Sequence, residues 1–394
     1  MPENLLFLSH RIPYPPNKGD KIRSFHLLDH LRKQYRVHLG TFVDDGKDWI
    51  HAEKMKEICG ECCIVPLNPR LSRLTSLKGL ASGEALTLPY YRNNTLQAWV
   101  DSLIENLSIE KIVVFSSAMA QYVEKHTDAL RIMDFVDIDS DKWTQYADSK
   151  PWPLNAIYRR EGQLLEKYER KIASAFDVSF FVSPQEADHF RTIAPECSSK
   201  IHYYSNGVDA EYFSPERAYP NPFREDEKAI VFTGAMDYWP NIEAVTWFSK
   251  EIFPLVLKSE PRARFHIVGS NPAREVKHLS ALQGVTVTGR VEDVRPYLFH
   301  ARLAVAPLRI ARGIQNKVLE AMAMAKPVVA SPQALEGIVE NESCICARDE
   351  IEFSGHVLRL LGNSGEMSGR SRILESYDWE RNLEKIASFL EGKS

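Results

Sequence analysis

Short runs of β-branched and aromatic residues alternate along the chain with longer stretches whose apolar positions recur at helical spacing. This is the pattern of parallel sheets covered by helices on both faces. In the first half, NLLFLS from Asn4, RVHLGTF from Arg36, KIVVFSS from Lys111, LRIMDFVD from Leu130, DVSFFVS from Asp177 and KIHYYSN from Lys200 read as strands. In the second half the strands are KAIVFTG from Lys228, ARFHIVG from Ala263, VTVTG from Val285, RLAVAP from Arg302 and KPVVAS from Lys326. Between the two sets, YFSPERAYPNPFREDEK packs three prolines and seven charges into residues 212–228, which predicts a linker. One α/β unit is thus expected over 1–211 and a second over 229–375, followed by a last helical pattern, SYDWERNLEKIASFL, within 376–394.

Size and charge agree with that division. A chain of 394 residues exceeds what one hydrophobic core serves. Its net charge of -4 supplies no basic field for nucleic acid, which is not expected as a partner. The opening MPENLLFLSH lacks the basic start and apolar length of a signal peptide, and no run is long enough to span a bilayer, so a cytoplasmic protein is expected. Free thiols are then expected for all six cysteines. Cys59, Cys62 and Cys63 form a C-x-x-C-C cluster that would suit zinc only with a second ligand pair, and none follows at ligand spacing.

Ligands of open α/β sheets bind beyond the carboxyl ends of the strands, so the strand-to-helix junctions carry the candidate chemistry. After LAVAP comes the loop LRIARGIQ, and a helix starts near Asn316. Its unsatisfied first-turn N–H groups suit a phosphate, Gly313 permits close approach, and Arg309, Arg312 and Lys317 add positive charge. Glu320 sits in an otherwise apolar helix and shares a face with Asn316 and Lys317. A carboxylate there is costly unless it is paired or binds something. Two readings stand: a phosphate site with a carboxylate one turn deeper for ribose hydroxyls, or an i,i+3 ion pair of Lys317 and Glu320. VFTGAMDYWPN ends a strand at Gly234 and offers Asn241 as a helix N-cap, HIVGSNP ends one at Gly269, and VTGRVEDVRPYL places Arg290 and Asp293 after another.

In the first half, SHRIPYPPNKGDKIRS follows the opening strand. Gly19 permits a tight turn, Asp20 is predicted to cap the next helix, and His10, Arg11, Lys18, Lys21 and Arg23 gather polar chemistry. DFVDIDSDKW sets Asp134, Asp137, Asp139 and Asp141 at and beyond a strand end. These would hold a divalent cation on a diphosphate, supply a general base, or form a solvated loop that caps a helix. Neither G-x-G-x-x-G after the first strand nor G-x-x-x-x-G-K-[ST] occurs, which argues against nicotinamide and P-loop chemistry.

With these residues in place, the chain resembles the family 4 glycosyltransferases of GT-B fold. SNGVDAEYFSP from Ser205, GAMDYWPN from Gly234, VTGRVEDVRPYLFHARLAVAPL from Val287 and LEAMAMAKPVVAS from Leu319 follow that family's order and spacing. PPNKGDKIRS and DFVDIDSDKW are similar to a bacterial subgroup associated with exopolysaccharide and exosortase (PEP-CTERM) systems. The resemblance implies two Rossmann-like, doubly wound α/β domains facing across a cleft, the first for an acceptor and completed by the last helix, the second for a nucleotide-sugar. It implies Glu320 on the donor ribose, and Gly313, Ile314, Gln315, Asn316 and Lys317 at the donor sugar or phosphates. Gly19, Gly234, Arg290, Arg309 and Arg312 complete the implied donor set, and Asp137, Asp139 and Lys317 the implied catalytic set, with no cofactor and no metal. Two departures mark the chain. Arg312 stands where the family often has a glutamate, and GAMDYWPN lacks the arginine and lysine common after the first strand of the second domain.

The expected function is retaining transfer of a hexose from a nucleoside diphosphate sugar to a glycan or lipid-linked acceptor in exopolysaccharide biosynthesis. The alternatives are an inactive GT-B scaffold serving assembly, and an epimerase or phosphorylase on the same fold. PRLSRLTSLKGL from Pro69 spaces Leu71, Leu74, Leu77 and Leu80 by three among Arg70, Arg73 and Lys78. This reads either as an internal helix with solvated cations or as an interfacial helix in peripheral contact with the inner face of the cell membrane.

Overall fold

The structure is a computed structural model that describes residues 2–148, 151–311, 313–338, 343–362 and 369–392. The chain divides into two compact units, one formed by residues up to Tyr204 with those from Leu383 onward, the other by Ser205–Asn382. The divide lies upstream of the proline-rich 212–228 segment, because Ser205–Gly207 is already packed into the second unit. Trp379 lies against Gly207, where an added Cβ would meet the indole at 2.7 Å, and Val208 N–H donates to the Tyr377 carbonyl at 2.8 Å.

The first unit holds β1 (Asn4–Ser9), β2 (Arg36–Val43), β3 (Cys62–Pro66), β4 (Lys111–Phe115), β5 (Leu130–Val136), β6 (Val178–Phe181) and β7 (Ile201–Tyr203). They form a seven-stranded sheet in the order β3-β2-β1-β4-β5-β6-β7, with every pairing parallel. Helices cover both faces, so Leu5, Leu6, Phe7 and Leu8 are all fully buried although they point alternately to opposite sides. β3 was not among the predicted strands, since a run beginning with two cysteines carries little β signal. It pairs with β2 through Leu39 and Cys62. Cys62 and Cys63 are neighbours in this strand and face opposite sides of the sheet, so they do not converge on one metal.

The second unit holds β8 (Lys228–Thr233), β9 (Ala263–Val268), β10 (Val285–Gly289), β11 (Leu303–Ala306), β12 (Val328–Ala330) and β13 (Cys344–Cys346). Its six-stranded sheet runs β10-β9-β8-β11-β12-β13, again all parallel. β13 has three residues, too short to register as a pattern. In both units the strand order is third, second, first, fourth and onward, the doubly wound arrangement, and it reverses direction once. The reversal opens a crevice beyond the strand ends, between β1 and β4 in one unit and between β8 and β11 in the other.

A fully buried cluster anchors the first unit. Arg23 donates from Nε and Nη2 to the two oxygens of Asp134 at 2.9 and 3.0 Å. The Tyr204 hydroxyl donates to the same carboxylate, and its ring lies 3.7 Å from the Arg23 guanidinium carbon. Arg23 and Asp134, expected at a polar mouth, are instead locked inside, at 0% exposure.

Candidate functional site

The second unit's crevice is built from the residues after β8 and the helix after β11. Gly234 follows β8 at φ 155°, a conformation that side chains disfavour, and an added Cβ there would meet Asn241 Nδ2 at 2.8 Å. Gly269 after β9 is held closer still: a Cβ there would sit 1.6 Å from the Gly234 carbonyl oxygen. These glycines let the two loops nest, with Met236 N–H donating to the Ser270 carbonyl at 2.8 Å.

The helix Asn316–Ala323 points its N-terminus into this crevice, and its N-cap residue Gln315 makes no side-chain cap hydrogen bond. Lys317 donates from Nζ to Asn241 Oδ1 at 2.5 Å and lies 4.4 Å from the centre of the Phe232 ring. Asn241, predicted as an N-cap, is therefore not one. It sits inside the helix Trp239–Trp247, where its amide donates to the Ala235 carbonyl at 2.9 Å and its oxygen receives Lys317. Asn316 is held from the other side by buried Asn206, whose amide donates to Asn316 Oδ1 at 3.1 Å.

Glu320 lies one turn deeper. Its carboxylate makes no ion pair within 4 Å with Lys317, so the i,i+3 pair weighed from the sequence does not form. Both side chains are half-buried by exposed area, yet their charged ends are enclosed by protein. Burial pulls the Lys317 ammonium down to about 7 against the attraction of Glu320. Burial pushes the Glu320 carboxyl up to about 7 against the attraction of Lys317. Desolvation outweighs their mutual attraction at both groups, so each would gain from a ligand that satisfies its charged form.

Gly313 has φ 63° and its carbonyl accepts from Gln315 Nε2 at 3.2 Å, while Ile314 is buried behind the helix mouth. Arg309 is engaged elsewhere, donating from Nε to Glu243 at 2.5 Å with its guanidinium over the Trp247 ring. Arg290 stands exposed after β10, and neighbouring Asp293 is taken by Arg295 at 2.7 Å. Arg312 lies outside the described residues. Sequence reasoning missed Asn206 and also Arg370, which donates to the Phe213 carbonyl at 2.9 Å and to the Ala323 carbonyl at the end of the site helix. Asn206 lies in SNGVDAEYFSP, but nothing in that stretch singles out its amide, and Arg370 sits in none of the quoted motifs.

In the first unit's crevice His10 follows β1 directly and stacks on Phe115 of β4, with centroids 5.9 Å apart. Gly19 opens the helix Gly19–Leu31, whose N-cap is Lys18. Asp20 is thus a first-turn residue and not the predicted cap. Its carboxylate is claimed by Arg11 at 2.5 Å and His10 at 3.3 Å, and hydrogen bonds and charge from these two hold it well below the usual carboxylate range despite burial. Arg11 also holds Asp44 at 2.7 Å. Asp137 and Asp139, after β5, both bind Lys142, at 2.8 and 3.2 Å. Ser117, after β4, donates to Asp139 at 3.5 Å. Asp141 turns away to His189 at 2.9 Å. Among the described residues no three His, Cys, Asp or Glu side chains converge as metal ligands.

Residues 227–363, which include every strand of the second unit's sheet, match the family of glycosyl transferases group 1. An uncharacterized 44.6 kDa protein in the cps region of Klebsiella pneumoniae is 23% identical over 251 residues, 58% of this chain; the chain spans 60% of that relative's length. Among solved structures, a sucrose-phosphate synthase from Thermosynechococcus elongatus superposes with TM-score 0.73 at 16% identity, covering 99% of this chain and 98% of that one. HepE of Anabaena, in complex with UDP and glucose, gives TM-score 0.66 at 12% identity over 99% and 100% of the two chains. WaaG, a glycosyltransferase involved in lipopolysaccharide biosynthesis, gives 0.65 at 13% identity over 98% and 99%. These folds bear out the GT-B fold read from the sequence, and the match of residues 227–363 to glycosyl transferases group 1 agrees with the resemblance read there.

Proposed function

We propose, from the match of residues 227–363 to glycosyl transferases group 1, that the protein moves a hexose, with retention, from a nucleoside diphosphate sugar to a glycan or lipid-linked acceptor. The observation that carries the reading is the pair of Lys317 and Glu320 at the crevice between β8 and β11, each pushed toward its neutral form by burial and not ion-paired with the other, with only the Asn241 amide and the Phe232 ring at the Lys317 ammonium. A diphosphate would restore the Lys317 charge at a helix N-terminus that already favours anions. Ribose hydroxyls donating to Glu320 would do the same for the carboxylate. The HepE complex with UDP and glucose supports a nucleotide-sugar as donor, and the cps-region relative supports polysaccharide biosynthesis as the setting.

The acceptor chemistry falls to the first unit, with Asp137 or Asp139 accepting the acceptor's proton beside Lys142. Transfer needs no metal in this reading: Lys142 sits between the two aspartates, a cation where a D-x-D site would place one. On the donor side, Lys317 and the open first turn stabilise the departing diphosphate.

Calorimetry of the full chain with UDP, GDP and their sugars tests the proposal. One nucleotide series is expected to bind, and Lys317→Ala or Glu320→Ala is expected to weaken it by about 1.5–3 kcal/mol, the worth of a hydrogen bond to a charged group. Binding of neither series, or full affinity in both variants, would remove the basis of the reading. Anomeric analysis of the product decides retention.

A further inference from the structure

Residues 69–82 form two short helices, Pro69–Ser76 and Lys78–Ser82, after β3. They are turned inside out. Leu71, Leu74, Leu77 and Leu80 are 60%, 65%, 51% and 44% exposed, while the residues that face the protein are Ser76 and Gly79. Leucines buried in a core would each contribute stability, so a helix that presents them to water and packs on a serine and a glycine is not built for the fold alone.

The orientation is held firmly. Asn68 caps the first helix by accepting from Arg70 and Leu71 N–H at 3.1 and 3.3 Å, with Pro69 at the first turn. Arg160, in the helix Leu154–Ala175, donates to the Gly79 carbonyl at 2.8 Å and the Glu84 carbonyl at 3.3 Å. Its neighbour Glu161, 1% exposed, receives Leu86 N–H at 2.6 Å, Thr87 N–H at 2.9 Å and the Thr87 hydroxyl at 2.7 Å. The same long helix begins with exposed Leu154 just after Trp152, which is 80% exposed.

The charge on this face has one sign. Residues 69–82 contain Arg70, Arg73 and Lys78 and no acid. All three cations are exposed, and among the described residues none of them forms an ion pair. Exposed leucines flanked by unpaired cations match an anionic bilayer surface, where the leucines enter the acyl boundary and the cations meet phosphate.

We infer that the outer face of residues 69–82 docks the protein on an anionic lipid surface. An acceptor carried on a lipid would then be met by a unit already seated on its membrane. The docking is independent of the donor reading, since no residue of this face belongs to either crevice.

Flotation of the full chain with phosphatidylcholine vesicles, with and without phosphatidylglycerol, tests it. The protein is expected to float with the anionic vesicles only. Leu74→Ser with Leu77→Ser is expected to lower the bound fraction roughly tenfold, and Arg70→Ala, Arg73→Ala and Lys78→Ala by roughly fivefold per cation. Nucleotide-sugar binding by the serine pair is expected to be unchanged. Absence of flotation, or equal flotation of the serine pair, overturns the inference. Should the serine pair misfold, Leu74→Trp replaces it: a blue-shifted emission on anionic vesicles is expected, and an unshifted one overturns the docking.

Discussion

The pH dependence of donor binding is the sharpest consequence of the crevice between β8 and β11. Lys317 and Glu320 both titrate near pH 7, driven there by burial. Under the proposed function a bound diphosphate requires Lys317 protonated, and bound ribose hydroxyls require Glu320 ionised. Lowering the pH below 7 fills the Lys317 requirement and empties that of Glu320; raising it does the reverse. With both groups at about 7, about one quarter of the molecules meet both conditions at pH 7 and about one in thirty does at pH 5.5 or 8.5. Affinity is therefore expected to peak near neutrality and to fall roughly eightfold at either limit. A nucleoside diphosphate sugar is the right probe, because its diester phosphates keep their charge over this range and the ligand does not itself titrate. Calorimetry at each pH reads the affinity, and Glu320→Gln separates the limbs. The glutamine cannot be protonated, so the acid limb should vanish while the alkaline limb, which belongs to Lys317, remains. A flat profile from pH 5.5 to 8.5, or an acid limb that survives in Glu320→Gln, would refute the assignment of these two groups to the donor.

Two further predictions concern stability. Asp134→Asn leaves the Arg23 guanidinium buried without its counter-charge and is expected to cost about 3–5 kcal/mol, read as a drop in the urea midpoint; a change under about 1 kcal/mol would mean the cluster of Arg23, Asp134 and Tyr204 is not an anchor. Glu169 is fully buried, receives the Ser140 hydroxyl at 2.6 Å, and is pushed up to about 8 by burial and then by the charge of Asp139. Its folded value lies above its unfolded one, so the stability it contributes is complete below about 4.5 and is lost as pH rises through about 8. Glu169→Gln should match the wild type at pH 5 and exceed it at pH 9 by a few kcal/mol, with identical melting curves at pH 9 the contrary result.

How much of this was legible beforehand varies by element. The long apolar strands β1, β2, β4 and β8 read directly, because a strand buried on both faces must be apolar throughout. β3 and β13 did not, since Cys62–Pro66 and Cys344–Cys346 become strands through the neighbours they pair with and not through their own propensity. The site helix was legible from its glycine, its amide and the lone carboxylate in an apolar run. The roles of Asp20 and Asn241 were not. Both residue types favour caps locally, but Arg11 and His10 claim the first, brought onto it by the fold of the loop between them, and Lys317, 76 residues away in sequence, claims the second.

The leucines of residues 69–82 make the same point at the surface. Their threefold spacing left open an internal or an exposed helix, and only the packing of Gly79 against Arg160 turned them outward.

Sequence by itself therefore determined the two α/β units, the crevice-facing glycines and the presence of Lys317 and Glu320 on one helical face, because periodicity and backbone freedom are local properties. Tertiary structure alone decided that these two groups do not pair with each other and are pushed toward their neutral forms, that Arg309 serves Glu243, and that Arg23 and Asp134 are an internal anchor. Desolvation and charge pairing depend on what surrounds a side chain in three dimensions, and residues far apart along the chain supply those surroundings.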